Sequence, residues 1–321
     1  MNPDFQDFYE KVEVCKELKL NTILIPFIEI NNLKSGHYYL TALLSKLTTL
    51  KYIEFSGLPN MSNNITEKAA KAMKKGFHNF IDDGGKIEIV SFYNLKVFKD
   101  LSDYIFSFLA KSETLKSLRF CKTNLFNYGH TMKVVSNHLA NLKEVQEICL
   151  VDSQLNVERC KILADSLMRM KKLRIFRVSD TNILGLGLSS LIYNLAFSPN
   201  MLLLDMSRNS LGSNNNDINE IIISMQKLLK ISASIEILKA PSMIGLCEKL
   251  GKDFWVALGE CKSLRVLDLN WSGNLTNQIS HVGKAIAFNA KKKGSLEHLN
   301  MKGCLRNSGA VKNLYNNMNI S

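Results

Sequence analysis

The 321-residue sequence has no cysteine pair spaced for metal or disulfide chemistry. Its seven cysteines (Cys15, Cys121, Cys149, Cys160, Cys247, Cys261 and Cys304) are scattered, odd in number and without a C-x-x-C. That excludes a zinc ribbon and a disulfide framework, and it fits reduced thiols in an intracellular compartment. The six histidines form no H-E-x-x-H or comparable ligand pair, and no nucleophile motif surrounds them. Long apolar runs are also missing. The best candidate, Leu184 to Met206, is broken by Ser189, Ser190, Asn194, Ser198, Pro199 and Asn200, so it reads as a core helix and strand and not as a membrane span. The opening segment MNPDFQDFYEKVEVCKE mixes acidic and polar residues where a leader needs an apolar stretch; a cytoplasmic location is therefore expected. Asp82-Asp83-Gly84-Gly85-Lys86 lacks the spacing of a phosphate-binding loop and reads as a surface turn. No catalytic, cofactor-binding or metal-ligating residue is expected.

What is present is a ladder of apolar residues spaced L-x-x-L-x-L. Its clearest rungs are Leu115/Leu118/Phe120, Val145/Ile148/Leu150, Leu173/Phe176/Val178, Met201/Leu204/Met206 and Leu264/Leu267/Leu269. The first four start at 115, 145, 173 and 201, steps of 30, 28 and 28, a regularity that marks repeated structural units. Weaker rungs extend the register to Leu20/Ile23/Ile25, Leu50/Ile53/Phe55, Ile87/Val90/Phe92, Ile235/Leu238/Ala240 and Leu296/Leu299/Met301, making ten units. Small polar residues follow the rungs, as in Thr123-Asn124, Ser153-Gln154, Thr181-Asn182 and Asn209-Ser210; such side chains bond to nearby backbone and turn a chain out of a strand. Helical spacing comes next. In VERCKILADSLMRM, Cys160, Leu163, Leu167 and Met170 share one face. Each unit thus reads as strand, turn, helix and return, and the polar run Gly212 to Asp217 reads as an inserted loop at the strand-exit edge.

Unit length, rung pattern and a full helix per unit resemble the ribonuclease-inhibitor-like subclass of leucine-rich repeats. The resemblance covers nearly all of the chain from Leu20 onward. It implies an α/β horseshoe solenoid with a parallel sheet on its concave face and helices on its convex face. The expected organisation is an N-terminal capping helix over residues 1–19 and one continuous repeat domain over 20–321. Most members of that family are non-enzymatic interaction scaffolds, so the resemblance implies an adaptor in a larger intracellular assembly, with cytoskeletal and ciliary complexes as the setting. Two alternatives stay open. One is a RanGAP-like GTPase activator, which needs an Arg or polar residue presented from an early turn, whereas no arginine precedes Arg119 and that residue is predicted on a strand. The other is a nucleic-acid binder, motivated by the net charge of +12 but lacking RRM, KH or zinc-finger signatures.

Strand side chains alternate faces, so the residues flanking the middle rung point away from the core. One such row reads Ile175, Leu203, Ile237 and Val266, with Trp271 just beyond; beside it run Arg177, Asp205, Lys239 and Asp268. An apolar row edged by charge and an aromatic is the anatomy of a protein-binding surface, although aliphatic residues also simply suit strands. The charged row is expected to alternate in sign from strand to strand. Lys74, Lys75, Lys171, Lys172, Lys291, Lys292 and Lys293 precede strands and are expected to gather along one rim. Helix dipoles alone favour cations there, while an aligned basic rim also suits an acidic partner such as a tubulin surface. The last segment, with Val311, Leu314, Tyr315 and Met318 at helical spacing, reads as a cap over the final unit that also docks onto another protein.

Overall fold

The computed structural model describes residues 21–26, 36–57, 64–97, 106–107, 109–124, 129–153, 155–211, 215–305 and 308–319. The segment 1–19 and Leu20 lie outside them. The chain divides into two compact units, Met1–Ser153 and Gln154–Ser321.

In the first unit, five parallel strands lie side by side: β1 (Thr22–Pro26), β2 (Tyr52–Ser56), β4 (Ile89–Tyr93), β6 (Ser117–Cys121) and β7 (Glu147–Val151). A minor pair, β3 (Asn64–Ile65) with β5 (Lys96–Val97), runs beside them in sequence. Helices α1 (Gly36–Lys46), α2 (Glu67–Asp82) and α3 (Gly129–Ala140) connect strand to strand. The second unit holds α4 (Val157–Arg169), β8 (Ile175–Ser179), α5 (Gly185–Leu195), β9 (Leu203–Asp205), α6 (Asn215–Ile231) and β10 (Ile237–Lys239). It continues with α7 (Leu246–Lys249), α8 (Lys252–Glu260), β11 (Val266–Asp268), a 3₁₀ turn at Thr276–Gln278, α9 (Ile279–Lys291), β12 (His298–Asn300) and α10 (Ser308–Asn319). Strand–helix alternation with all-parallel pairing is the leucine-rich-repeat α/β solenoid architecture.

The apolar ladder sets the register. Ile53 pairs with Ile23 and Val90, Leu118 with Val90 and Ile148, and Leu204 with Phe176 and Leu238. Every rung residue from Leu50 to Leu269 is at most 2% exposed, so each large one contributes about 1.5–3 kcal/mol of burial. In three consecutive strands of the first unit, β2, β4 and β6, the third rung position is phenylalanine. Phe55, Phe92 and Phe120 stack with ring centroids 5.5 and 5.3 Å apart, close to the spacing between strands. Helices close the core from one side. In α4, Asn156 caps the start by accepting the Arg159 N–H at 2.9 Å, and Cys160, Leu163 and Leu167 are buried beneath it. In α2, Thr66 caps and Ala69, Met73, Phe77 and Phe80 are buried.

Strand starts and exits repeat the same backbone chemistry. One carbonyl of the preceding repeat accepts two successive N–H groups at each start: Glu88 O from Lys116 and Ser117, Arg174 O from Leu202 and Leu203, Arg265 O from Glu297 and His298. At each exit one residue is left-handed, at Asn94, Lys122, Asp152, Asp180, Arg208, Ser242, Trp271 and Gly303, recurring every 28 to 34 residues. The N–H of that residue bonds to the next repeat, as from Lys122 to Val151 O and from Trp271 to Lys302 O. The polar residue after it fastens the turn. Buried Asn209 accepts from the Thr181 N–H and hydroxyl and the Ile183 N–H, and donates to Val178 O and Met206 O. The expected loop at Gly212 to Asp217 is corrected in part. Asn215, Asn216 and Asp217 form the first turn of α6, where Asp217 faces the positive end of the helix dipole.

Asn209→Ala removes five bonds and strands buried backbone groups of two repeats. The expected loss of stability is about 2–4 kcal/mol, measurable as a lower urea midpoint with an unchanged slope.

Candidate partner-binding surfaces

The open face of the second unit's strands carries the rows expected from sequence, aligned by pairing: Ile175–Leu203–Ile237–Val266 and Arg177–Asp205–Lys239–Asp268. The apolar row is only part exposed; Ile175, Ile237 and Val266 are half-buried and Leu203 is 8% exposed. The alternating charge ladder is corrected here. Arg177 and Asp205 pair at 3.5 Å, but Lys239 has no ion pair among the described residues. The acids are drawn away by their own turns. Asp268 accepts the Asn270 N–H at 3.0 Å, Asp205 accepts the Ser207 N–H at 3.1 Å and its hydroxyl, and Asn300 caps Lys302 in the same way. A carboxylate at a strand end satisfies a backbone donor two residues on before it reaches a lysine.

Alternation does occur, one residue before the strands. Glu88 is bridged by Lys51 at 3.4 Å and Lys116 at 2.8 Å, and Arg265 by Glu236 at 3.6 Å and Glu297 at 2.9 Å. The lysines hold the Glu88 carboxyl below its ordinary range through hydrogen bonds, and Arg265 does the same for Glu297. These pairs are solvent-exposed and so set register more than stability. Of the expected basic rim, Lys171 and Lys172 follow α4, while Lys291 ends α9 and Lys292 and Lys293 turn out of it. Lys74 and Lys75 do not belong to that rim. They sit in the middle of α2, because Phe77 and Phe80 carry the buried helical face past them to Asp82.

At the strand exits two large apolar side chains stand in solvent, Ile244 (83% exposed) and Trp271 (57%). Trp271 occupies the left-handed exit position with φ 56°, which is unfavourable for a bulky residue. Its indole lies across Gly303, the equivalent position of the next repeat; a Cβ there would come within 2.3 Å of the ring. One side of the indole thus packs against the flat surface the glycine leaves. Glu248 completes the corner by accepting the Asn274 N–H at 2.7 Å.

On the first unit the open strand face is polar, which the sequence reading did not single out. Arg119 donates to Glu147 at 2.9 Å and to Ser117 at 3.1 Å, Ser117 donates to Glu147 at 2.7 Å, and Tyr52 donates to Glu54 at 2.6 Å. Burial opposes the guanidinium charge, yet Glu147 leaves the Arg119 pKa above its ordinary value. Burial and the Glu54 carboxylate raise Tyr52. The thiol of Cys149 hydrogen-bonds Cys121 and lowers its pKa. The strand placement of Arg119 agrees with the sequence expectation, and its guanidinium is already committed to Glu147. Register arithmetic applied to positions 117, 119 and 147 carries the signal for this cluster.

Among the described residues, no group of three or more His, Cys, Asp or Glu is placed to hold a metal ion, and no helix is long and apolar enough to cross a membrane. No protein-family model matches the chain, and no curated protein matches it. Among solved structures, a crystal structure of a TLR13–ssRNA13 complex matches with a TM-score of 0.44 at 13% identity, over 78% of this chain and 29% of that one. This chain therefore spans less than a third of that protein's length. The fold assignment rests on strand register and turn geometry.

Gly303→Ala adds a Cβ into the indole and places it at φ 76°. The expected cost is about 1–3 kcal/mol, with Trp271→Ala in the same chain recovering part of it in a double-mutant cycle read by thermal or urea melts.

Proposed function

We propose that the protein is a non-enzymatic interaction scaffold of the ribonuclease-inhibitor-like kind, an adaptor within a larger intracellular assembly. Repeat steps that are mostly 28 to 30 residues and a full helix in most repeats support the subclass. The observation that carries the functional reading is Trp271, a large aromatic that stands in solvent with one side packed on Gly303. Preorganised aromatics of that kind act as interface anchors, because little conformational entropy is lost when they are covered. The half-buried row Ile175, Ile237 and Val266, with the unpaired Lys239 beside it, continues the surface across the strands. The partner is a protein, docking on the open strand face and the Trp271 corner. A cytoskeletal or ciliary setting, with acidic tubulin surfaces as partner, belongs to this reading through the family resemblance.

Quantitative co-purification from native cells tests the proposal. Trp271→Ala combined with Ile237→Asp, shown folded by circular dichroism, should deplete a defined partner set at least tenfold relative to the wild-type chain. An unchanged partner set removes the open face from the reading. Microtubule co-sedimentation tests the setting separately: the wild-type chain should pellet with microtubules in low salt and be released as ionic strength rises.

A further inference from the structure

The apolar surface left in solvent on the second unit is concentrated on its helices. On α5, Leu186 and Tyr193 face outward, followed by Phe197; on the neighbouring α6, Ile223 does so too, with exposures of 43 to 53% across the four. The two helices are fastened beneath this surface by a buried Ser189–Ser224 hydrogen bond. Above it Lys227 caps the aromatic pair, its Nζ lying 3.6 Å from the Tyr193 ring centre and 5.0 Å from that of Phe197, with the rings 5.7 Å apart. Next to Ile223 the surface dips into a groove of about 330 Å³, lined also by Lys249 at the end of α7 and by Lys252 and Asp253 at the start of α8.

Charge says what fits there. From Gln154 to Ser321 the chain has 22 Lys and Arg against 12 Asp and Glu, a net +10, whereas the first unit has 19 against 17. Lys227, Lys230, Lys249 and Lys252 surround the apolar surface, and none of the four is ion-paired among the described residues. Ile223 and Ile231 stand two turns apart on one face of α6, a separation of about 12 Å. Another helix with an apolar stripe matches that spacing. We propose that the outer face of α5, α6 and the start of α8 docks an amphipathic helix of a partner protein, its leucine-type residues on Tyr193, Phe197 and Ile223 and its carboxylates on Lys249 and Lys252. The site is separate from the open strand face, so it gives the scaffold a second, simultaneous point of attachment.

Fluorescence anisotropy with two labelled 16-residue probe peptides tests the inference. Both carry leucines at i, i+3, i+4 and i+7; one has glutamates on the flanks, the other lysines. The glutamate peptide should bind the full-length chain at least tenfold tighter than the lysine peptide. Tyr193→Ala with Ile223→Asp should cut that affinity at least tenfold, Lys249→Glu with Lys252→Glu should reverse the charge preference, and Ile237→Asp on the strand face should change neither. Equal affinity for both peptides, or no binding at millimolar peptide, overturns the proposal. So does a concentration-dependent dimer in sedimentation that Ile223→Asp abolishes, which would identify the occupant as a second copy of the chain. The charge-reversed pair retains every apolar contact, so loss of fold in the apolar variant does not spare the idea.

Discussion

Each repeat is tied to its neighbour by backbone bonds that leave almost no freedom of register. A single carbonyl receives two successive N–H groups where a strand begins, and a left-handed residue sends its N–H to the next repeat where the strand ends. Between those fixed points the rung side chains have one place to go, into the core beneath the helices. The length of chain outside the clamp is free to vary. That is why steps of 28 to 37 residues between successive strand starts coexist with continuous parallel pairing within each unit.

The rungs were legible because burial forces their chemistry. Every apolar rung of the L-x-x-L-x-L pattern from Leu50 to Leu269 is sealed in the core, and no polar residue can stand at a rung at tolerable cost. The helix face of Cys160, Leu163 and Leu167 was legible for the same reason. Surface chemistry was not. Sequence placed opposite charges at 205, 239 and 268 side by side, and the pairing confirms that placement, but it could not show that Asp205 and Asp268 turn toward the backbone of their own turns. It likewise placed Lys74 and Lys75 before a strand, since the extra turns of α2 depend on how Phe77 and Phe80 pack. The exit tryptophan was legible as a residue near the surface; its seat on Gly303 depends on contact between repeats.

The two units reach stability by different routes. Five-residue strands and a column of stacked phenyl rings serve the first. In the second, strands β9 to β12 shrink to three residues, and buried polar side chains take over the fastening. Ser272 donates to Ala240 O and accepts the Met243 N–H at 3.1 Å. The cost of such groups is high if they lose a partner, and their geometry is correspondingly strict. Charge is divided as unequally as the fastening: nearly all of the positive excess belongs to the unit whose helices also expose apolar side chains.

Asn289 is the strictest of these fasteners. Its amide nitrogen donates to the carbonyls of Leu258, Gly259 and Cys261 at the end of α8, while its oxygen accepts the Leu296 N–H at 3.2 Å. The nitrogen sits where a helix presents its negative end. An aspartate in its place would put a negative oxygen against three carbonyl oxygens. A change of one atom group would thus turn a clasp between two repeats into a wedge, so the same position that fastens the helix end to the following strand would push them apart.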